Sequence, residues 1–280
     1  MIALTRPQPR ILPGFSLSLG ITLLFLCLIV LLPISGLLWQ LAQLSPADYL
    51  RIMGSERVLA ALRVTITAAA AATVINGIFG LLLAWVLTRY RFWGRGVMDA
   101  LVDLPFALPT AVAGIALVAL YDKSGWVGGV LDSMGLQVAY TWWGIVIAMV
   151  FTSIPFAVRA IQPAIEELDP AEEAAALTLG ASGPQRFLRV ALRPLMPSIL
   201  TGVGLSFVRS LGEFGAVIFI AGNLPYKTEI ASLLILIRLD EFNYPAAAAI
   251  AGTLLALSLV LLVVINVAQT RLQSYLRTGG

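Results

Sequence analysis

Two charged residues lie four positions apart in an apolar stretch, and their types suit the binding of a charged group. Arg209 and Glu213 occur in SFVRSLGEFGAV, inside a segment apolar enough to predict a membrane-spanning helix over Ile199–Gly222. Each charge at the centre of such a helix costs roughly 2.5–3.5 kcal/mol. Residues at i and i+4 share a helix face and can pair. The pattern therefore indicates either an internal ion pair or a polar pathway in which Glu213 orients the five donors of Arg209 towards an oxyanion.

Asp103 is another charge in an apolar segment, and it occurs in LVDLPFALPTAVAG. Pro105 and Pro109 each leave a backbone carbonyl without its helical partner. Broken helices of this kind are tolerated in membranes where they line a cavity. Two interpretations stay open, because Asp103 could line such a cavity or lie at a helix start near the membrane interface.

The residue types that are missing exclude most catalytic and metal chemistry. The 280 residues include no histidine and one cysteine, Cys27, so neither an intramolecular disulfide nor a histidine general base is available. No GxxxxGK[ST] nucleotide-binding motif occurs in the sequence. We expect no catalytic residues, no metal site and no cofactor bound by this chain. An intramembrane enzyme would need clustered ligands or acids near one interface, whereas the acids here are dispersed.

The composition predicts an all-α integral membrane protein. Hydrophobic residues make up 59% and charged residues 12% of the chain, against about 45–50% and about 25% in soluble domains. A net charge of +3 is modest, and the basic residues are spread over short loops, which indicates orientation in a lipid bilayer rather than nucleic-acid binding. Ile230–Leu239 is too short to span and predicts a re-entrant or interfacial helix. Six transmembrane helices are predicted over about Phe15–Leu41, Val64–Leu87, Leu101–Tyr121, Trp142–Ile161, Ile199–Gly222 and Ala246–Ala268.

The distribution of basic residues predicts an orientation with both termini in the cytoplasm. Lysines and arginines concentrate on the cytoplasmic side of bacterial membrane proteins. One set of loops holds ten of them, namely Arg6, Arg10, Arg89, Arg91, Arg95, Arg186, Arg189, Arg193, Arg271 and Arg277. The opposite loops hold five, namely Arg51, Arg57, Lys123, Lys227 and Arg238. Within the first set, the cluster of Arg89, Arg91 and Arg95 is interleaved with aromatic residues typical of a membrane interface.

The segment Glu172–Pro197, which we call the elbow, connects two of these spans with the sequence EEAAALTLGASGPQRFLRVALRPLMP. Its first half is rich in helix formers, Gly180 allows a positive φ, and Gln185–Arg193 predicts a second helix. The elbow could lie in the headgroup layer with its arginines on lipid phosphates. Alternatively, it could dock into a soluble partner.

The elbow resembles the cytoplasmic EAA loop of permease subunits in type I ABC importers. This resemblance gives the ATPase-coupling role to Glu172, Glu173, Ala174, Ala175, Gly180, Ala181, Arg189 and Pro194. Two departures from the family pattern occur. Glu173 and Gly180 are seven positions apart, one more than usual, so Ala174 takes the place of the family glutamate if Gly180 is held fixed. The proline, Pro194, comes one position late.

Two further stretches, SFVRSLGEFGAVIFIAGNLPYKTEIASLLI and RLDEFNYPAAAAIA, resemble the T-type permease subunits of bacterial sulfate/thiosulfate importers. The likeness extends over roughly Leu62–Gln269 and implies the type I ABC importer permease fold in the bacterial inner membrane. The implied parts are a cytoplasmic tail over 1–14, a first transmembrane helix and periplasmic loop over 15–61, a transmembrane core over 62–269 that contains the EAA loop 166–197, and a cytoplasmic tail over 270–280.

The resemblance also implies partners and a transport role. The partners are a homologous W-type permease, two copies of an ATPase subunit that bind ATP and magnesium, and a periplasmic sulfate-binding protein. Arg209, Glu213 and Asp103 would belong to the translocation pathway. The alternatives are a molybdate or tungstate permease of the same architecture and a gradient-driven anion carrier, although a carrier would usually show an internal repeat of spans.

Overall fold

The computed structural model describes residues 14–278, and the described part is entirely helical and turn in its regular structure. Residues 1–13 and 279–280, which include nearly all of the predicted N-terminal tail, lie outside the described residues. The helices are α1 (Phe15–Ala42), α2 (Pro46–Met53), α3 (Glu56–Arg89), α4 (Arg95–Ala107), α5 (Thr110–Tyr121), α6 (Trp126–Ser133), α7 (Trp142–Glu166), α8 (Pro170–Thr178), α9 (Gly183–Leu211), α10 (Val217–Ile220), α11 (Ala231–Asp240) and α12 (Tyr244–Thr278).

Among the described residues, α1, α3, α7, α9 and α12 are long and apolar enough to cross a membrane, and α4 with α5 gives a sixth crossing if the bent pair is one span. The pair bends by 114°. The sequence predicted a break near Pro105 and Pro109, but α4 continues through Pro105. It ends where Leu108 becomes extended (φ −88°, ψ 135°), because a residue before proline disfavours the helical region.

The core forms where α3, α7 and α9 pack around Ala157 of α7. A Cβ added to Gly80 of α3 would lie 2.8 Å from the Ala157 Cβ, and one added to Gly202 of α9 would lie 2.9 Å from the Ala157 carbonyl oxygen. Only glycine allows these approaches, and small residues are the usual means of close helix contact in membranes.

A buried polar network joins the same three helices. The Asn76 side-chain amide on α3 donates to the Ser153 hydroxyl on α7 at 2.8 Å and to the Ser206 hydroxyl on α9 at 3.0 Å. Ser153 and Ser210 share a further hydrogen bond of 3.0 Å between their hydroxyls. All four side chains are fully buried. Because unpaired polar groups are costly in an apolar interior, the network fixes the register of the three helices.

The predicted span Ile199–Gly222 is wrong at both ends. Helix α9 begins at Gly183 and stops at Leu211, so it includes the second half of the elbow. Residues 212–216 are not helical, and the short α10 follows. The break packs against α5, since a Cβ on Gly215 would lie 2.0 Å from the Thr110 hydroxyl and one on Gly114 would lie 2.5 Å from the Ala216 carbonyl oxygen.

The short helix predicted over Ile230–Leu239 is confirmed as α11, which packs against α3 and α12. The loop before it is held by an ion pair between the buried Glu229 and the half-buried Arg57, which no sequence pattern indicates. The Arg57 guanidinium donates two hydrogen bonds, of 2.9 and 2.7 Å, to the two carboxylate oxygens of Glu229. Glu229 is fully buried, and Arg57 is the cation that pairs with it.

Arg57→Ala should destabilise the fold by about 3 kcal/mol, because it leaves the buried Glu229 carboxylate unpaired. Thermal unfolding of the purified chain in detergent measures the effect. Arg51→Ala is the matched control, since Arg51 is exposed and pairs with Asp48 on the surface. The double variant Arg57→Met/Glu229→Leu should recover most of the loss; equal unfolding of the single and double variants would contradict the assigned role of the pair.

Candidate functional site

The elbow is a tight and fully capped helix–turn–helix. The Asp169 carboxylate caps α8 by accepting from the Ala171 amide at 2.8 Å. At the other end, the Gly180 amide donates to the Leu177 carbonyl and the Ala181 amide donates to the Ala176 carbonyl, at 2.9 and 3.0 Å. This Schellman arrangement needs a left-handed residue, and Gly180 supplies it with φ +79°. The predicted turn at Gly180 is therefore confirmed.

The second half of the elbow differs from the prediction of a separate helix over Gln185–Arg193. It begins with a capping box in which the Ser182 amide donates to the Gln185 side chain at 2.9 Å, and it then continues without interruption into the membrane as α9. A π-helical turn covers Phe187–Ala191, and Pro194 lies inside the helix on an exposed face. The elbow and the span after it are thus one continuous element.

One of the two elbow glutamates anchors the elbow to the bundle. Glu173 forms an ion pair with Arg89 at the end of α3. The Arg89 guanidinium also lies 5.3 Å from the centre of the Trp85 ring, and that ring meets Phe187 of α9 edge to face at 5.1 Å. Glu172 is exposed, and its side chain has no bonding partner among the described residues. Of the two glutamates, Glu173 is therefore the one that binds another helix. The sequence left open which acidic residue takes the place of the family glutamate.

The remaining elbow residues that the sequence singled out lie on the surface. Glu172, Ala174, Ala175, Gly180, Arg189 and Pro194 are exposed, and Ala181 is half-buried. Between them, Leu179 is 88% exposed, and Leu177 and Leu188 are also exposed. The tip of the elbow therefore exposes an apolar surface on a helix–turn–helix whose ends are capped by hydrogen bonds.

Arg209 and Glu213 do pair, but not at the centre of a helix as predicted. Arg209 lies in the last turn of α9 and Glu213 lies two residues beyond it. One carboxylate oxygen of the buried Glu213 is 2.6 Å from an Arg209 nitrogen, and the other accepts from the Ala216 amide at 3.0 Å. The Arg209 side chain is 31% exposed. The buried Glu213 carboxylate thus stabilises the helix break through the Ala216 amide and also pairs with the partly exposed Arg209 guanidinium.

Asp103 is paired with Arg159, which lies far from it in the sequence. Arg159 of α7 donates to both carboxylate oxygens of Asp103, at 2.8 and 2.5 Å, and to the Asp99 carboxylate at 2.7 Å. The interpretation of Asp103 as a helix start is wrong, because α4 begins eight residues earlier at Arg95. The cluster attaches the bent α4–α5 pair to α7.

The candidate residues form separate sites. No hydrogen bond or ion pair joins Asp103 to Arg209 or Glu213 in the described part of the chain, and the elbow lies at the far end of α9 from that pair. Within residues 14–278, no group of three or more potential metal ligands comes together. Composition could not reveal the partners Arg89 and Arg159, since each contact joins residues more than 50 positions apart.

Comparison with known sequences identifies close relatives. Residues 76–277 match the model of a family described as binding-protein-dependent transport system inner membrane component. The sulfate transport system permease protein CysT of Salmonella typhimurium is 58% identical over 262 residues, which cover 94% of this chain and 95% of that protein. The Synechocystis protein of the same description is 46% identical, covering 91% of this chain and 90% of its own length.

Solved structures share the fold at low sequence identity. A bacterial ABC transporter involved in import of the polysaccharide alginate matches with a TM-score of 0.73 at 19% identity, covering 92% of this chain and 96% of that one. The alginate transporter in complex with its pentasaccharide-bound periplasmic protein gives a TM-score of 0.75 at 20% identity, covering 91% and 93%. At these identities the likeness establishes the fold of ABC importer permeases.

Glu173→Gln should loosen the elbow, because a neutral amide replaces the carboxylate that binds Arg89. The loss of a charge-assisted hydrogen bond of about 1.5 kcal/mol predicts roughly tenfold faster amide exchange across residues 170–186. Hydrogen–deuterium exchange measures this change. Glu172→Gln is the matched control and should exchange like the parent chain; equal effects at both positions would refute the anchor.

Proposed function

The chain belongs to the family of binding-protein-dependent transport system inner membrane components, and we propose that it is the T-type permease subunit of a sulfate/thiosulfate ABC importer. We choose sulfate as the transported anion because the chain has high identity to sulfate permeases over nearly its whole length. As a permease component of the inner membrane, it is a non-catalytic subunit.

We further propose the partners that such a subunit needs. They are a homologous W-type permease, two copies of an ATPase subunit that hold ATP and magnesium, and a periplasmic sulfate-binding protein. The exposed Leu177, Leu179 and Leu188 on the elbow support the ATPase contact, because apolar side chains at a loop tip are stabilised when a protein surface covers them. The hydrogen-bonded turn at Gly180 would hold these leucines in a fixed position for that contact.

A physical route connects the proposed ATPase contact with the proposed pathway. Helix α9 has 29 residues, a length of about 43 Å. The elbow forms one of its ends and Arg209 lies at the other. A displacement of the elbow would therefore shift or rotate the Arg209–Glu213 pair and the break at Gly212–Ala216. The π-helical turn at Phe187–Ala191 gives α9 one place to absorb part of that motion.

Arg209 is the proposed anion-contacting residue, and Glu213 is its positioning residue. Arg209 approaches Glu213 with one nitrogen as an ion pair, so its other guanidinium donors are available, and its side chain is 31% exposed. Asp103, which the sequence placed in the translocation pathway, fits a structural role instead. The Asp103 carboxylate would repel an anion rather than bind it, and its pairing with Arg159 would serve to hold α4 on α7.

Reconstitution tests the function as a whole. Proteoliposomes with the full chain, its W-type and ATPase partners and the binding protein should take up radiolabelled sulfate only when ATP is supplied. Omitting the ATPase subunit is the control and should abolish uptake. Uptake of sulfate by this chain on a proton or sodium gradient alone would overturn the proposal, and a preference for molybdate would reassign the cargo.

Arg209→Gln should lower sulfate uptake by about tenfold or more, since a lost hydrogen bond to a charged group is worth roughly 1.5–3 kcal/mol. The yield of assembled transporter should stay the same. Arg209→Lys keeps the charge without the planar donor set and should retain part of the uptake. If Arg209→Gln instead prevents assembly, the pair is structural; unchanged uptake would remove Arg209 from the pathway.

A further inference from the structure

The turn between α3 and α4 carries an apolar groove at the elbow end of the bundle. Trp93 is fully exposed, at 100%, and Val97 and Leu101 expose one face of α4 at a spacing of four residues. Together with Phe92 and Met98 these side chains line a groove of about 700 Å³. None of the roles proposed above uses this surface.

Two arginines, Arg91 and Arg95, are adjacent in sequence to residues that line the groove. Arg91 is exposed and Arg95 is half-buried. Among the side chains described over residues 14–272, neither guanidinium forms a hydrogen bond or an ion pair with an acidic group. Asp99, which is one turn from Arg95, is bonded to Arg159. By contrast, Arg89 just before them is paired with Glu173.

The position of the groove relative to the membrane follows from α3. The long apolar run of this helix ends at Leu87, and Thr88 and Arg89 follow directly. The turn therefore lies where the hydrocarbon layer meets the headgroups. A tryptophan and arginines at that level, next to an apolar groove, combine the features that hold a lipid chain and its headgroup.

We propose that this groove is a binding site for one anionic phospholipid. The lipid phosphate lies between Arg91 and Arg95, close to the positive end of the α4 dipole. An acyl chain lies along Val97 and Leu101, and Trp93 packs at the level of the headgroup. Charge complementarity selects an anionic headgroup over a zwitterionic one, because Arg91 has no acidic partner among the described residues. Arg95 interacts with Asp99 only through its charge, and that carboxylate is already bonded to Arg159. This site does not depend on the identity of the transported anion.

Lipid-specific fluorescence quenching tests the site in the full-length chain in nanodiscs. Phosphatidylglycerol with brominated acyl chains should quench tryptophan emission at a lower mole fraction than brominated phosphatidylcholine. Trp93→Phe should remove that component, which assigns it to the groove. Arg91→Gln/Arg95→Gln should remove the preference, by about fivefold for each arginine. Arg51→Gln, an exposed arginine at the opposite end, should keep it.

Three results would overturn the proposal. One is equal quenching by the two lipids in the parent chain. Another is an unchanged preference for phosphatidylglycerol in the Arg91→Gln/Arg95→Gln double variant. If the double variant does not fold, the single variant Arg91→Gln replaces it in this comparison. The third is loss of all Trp93 quenching when the chain is assembled with its proposed partners, which would make the groove a protein interface.

Discussion

The close packing of α3, α7 and α9 is the constraint on which the rest of the structure depends. Inside a bilayer, apolar surface gains little by leaving lipid, so helices associate through tight contact and hydrogen bonds. Gly80 and Gly202 supply the contact on either side of Ala157, and Asn76 supplies hydrogen bonds to the other two helices. With these three helices fixed, both ends of α9 acquire defined positions.

Besides the Glu173–Arg89 pair of the elbow, three ion pairs hold other elements onto this core. Glu229 with Arg57 holds the loop before α11, and Asp103 with Arg159 holds the bent α4–α5 pair. Glu213 with Arg209 closes the end of α9. A lone charge in an apolar setting is costly, whereas a paired one with further hydrogen bonds is tolerated. Glu229 and Glu213 thus lie where the backbone leaves regular helix, whereas Asp103 and Arg159 join the interiors of two helices.

The sequence predicted the features that depend on local composition. Apolar runs placed most spans, and Gly180 with its helix-forming neighbours placed the turn of the elbow. It did not predict the end of α9 at Leu211, because the following residues are as apolar as a span and the break depends on Gly215 packing against Thr110. The partners of Glu173 and Asp103 were also out of reach. Their contacts with Arg89 and Arg159 exist only once helices distant in sequence are adjacent.

Two exposed apolar surfaces lie at the elbow end, and their charges argue for different neighbours. The first half of the elbow carries Glu172 beside Leu177 and Leu179, and it follows Glu166 and Glu167. These acids would be repelled by anionic headgroups, which disfavours the headgroup layer as the place for its leucines. The α3–α4 turn instead places Arg91, which has no acidic partner among the described residues, close to its tryptophan in sequence. The elbow is therefore suited to a protein groove and the turn to the membrane, although both present similar apolar side chains.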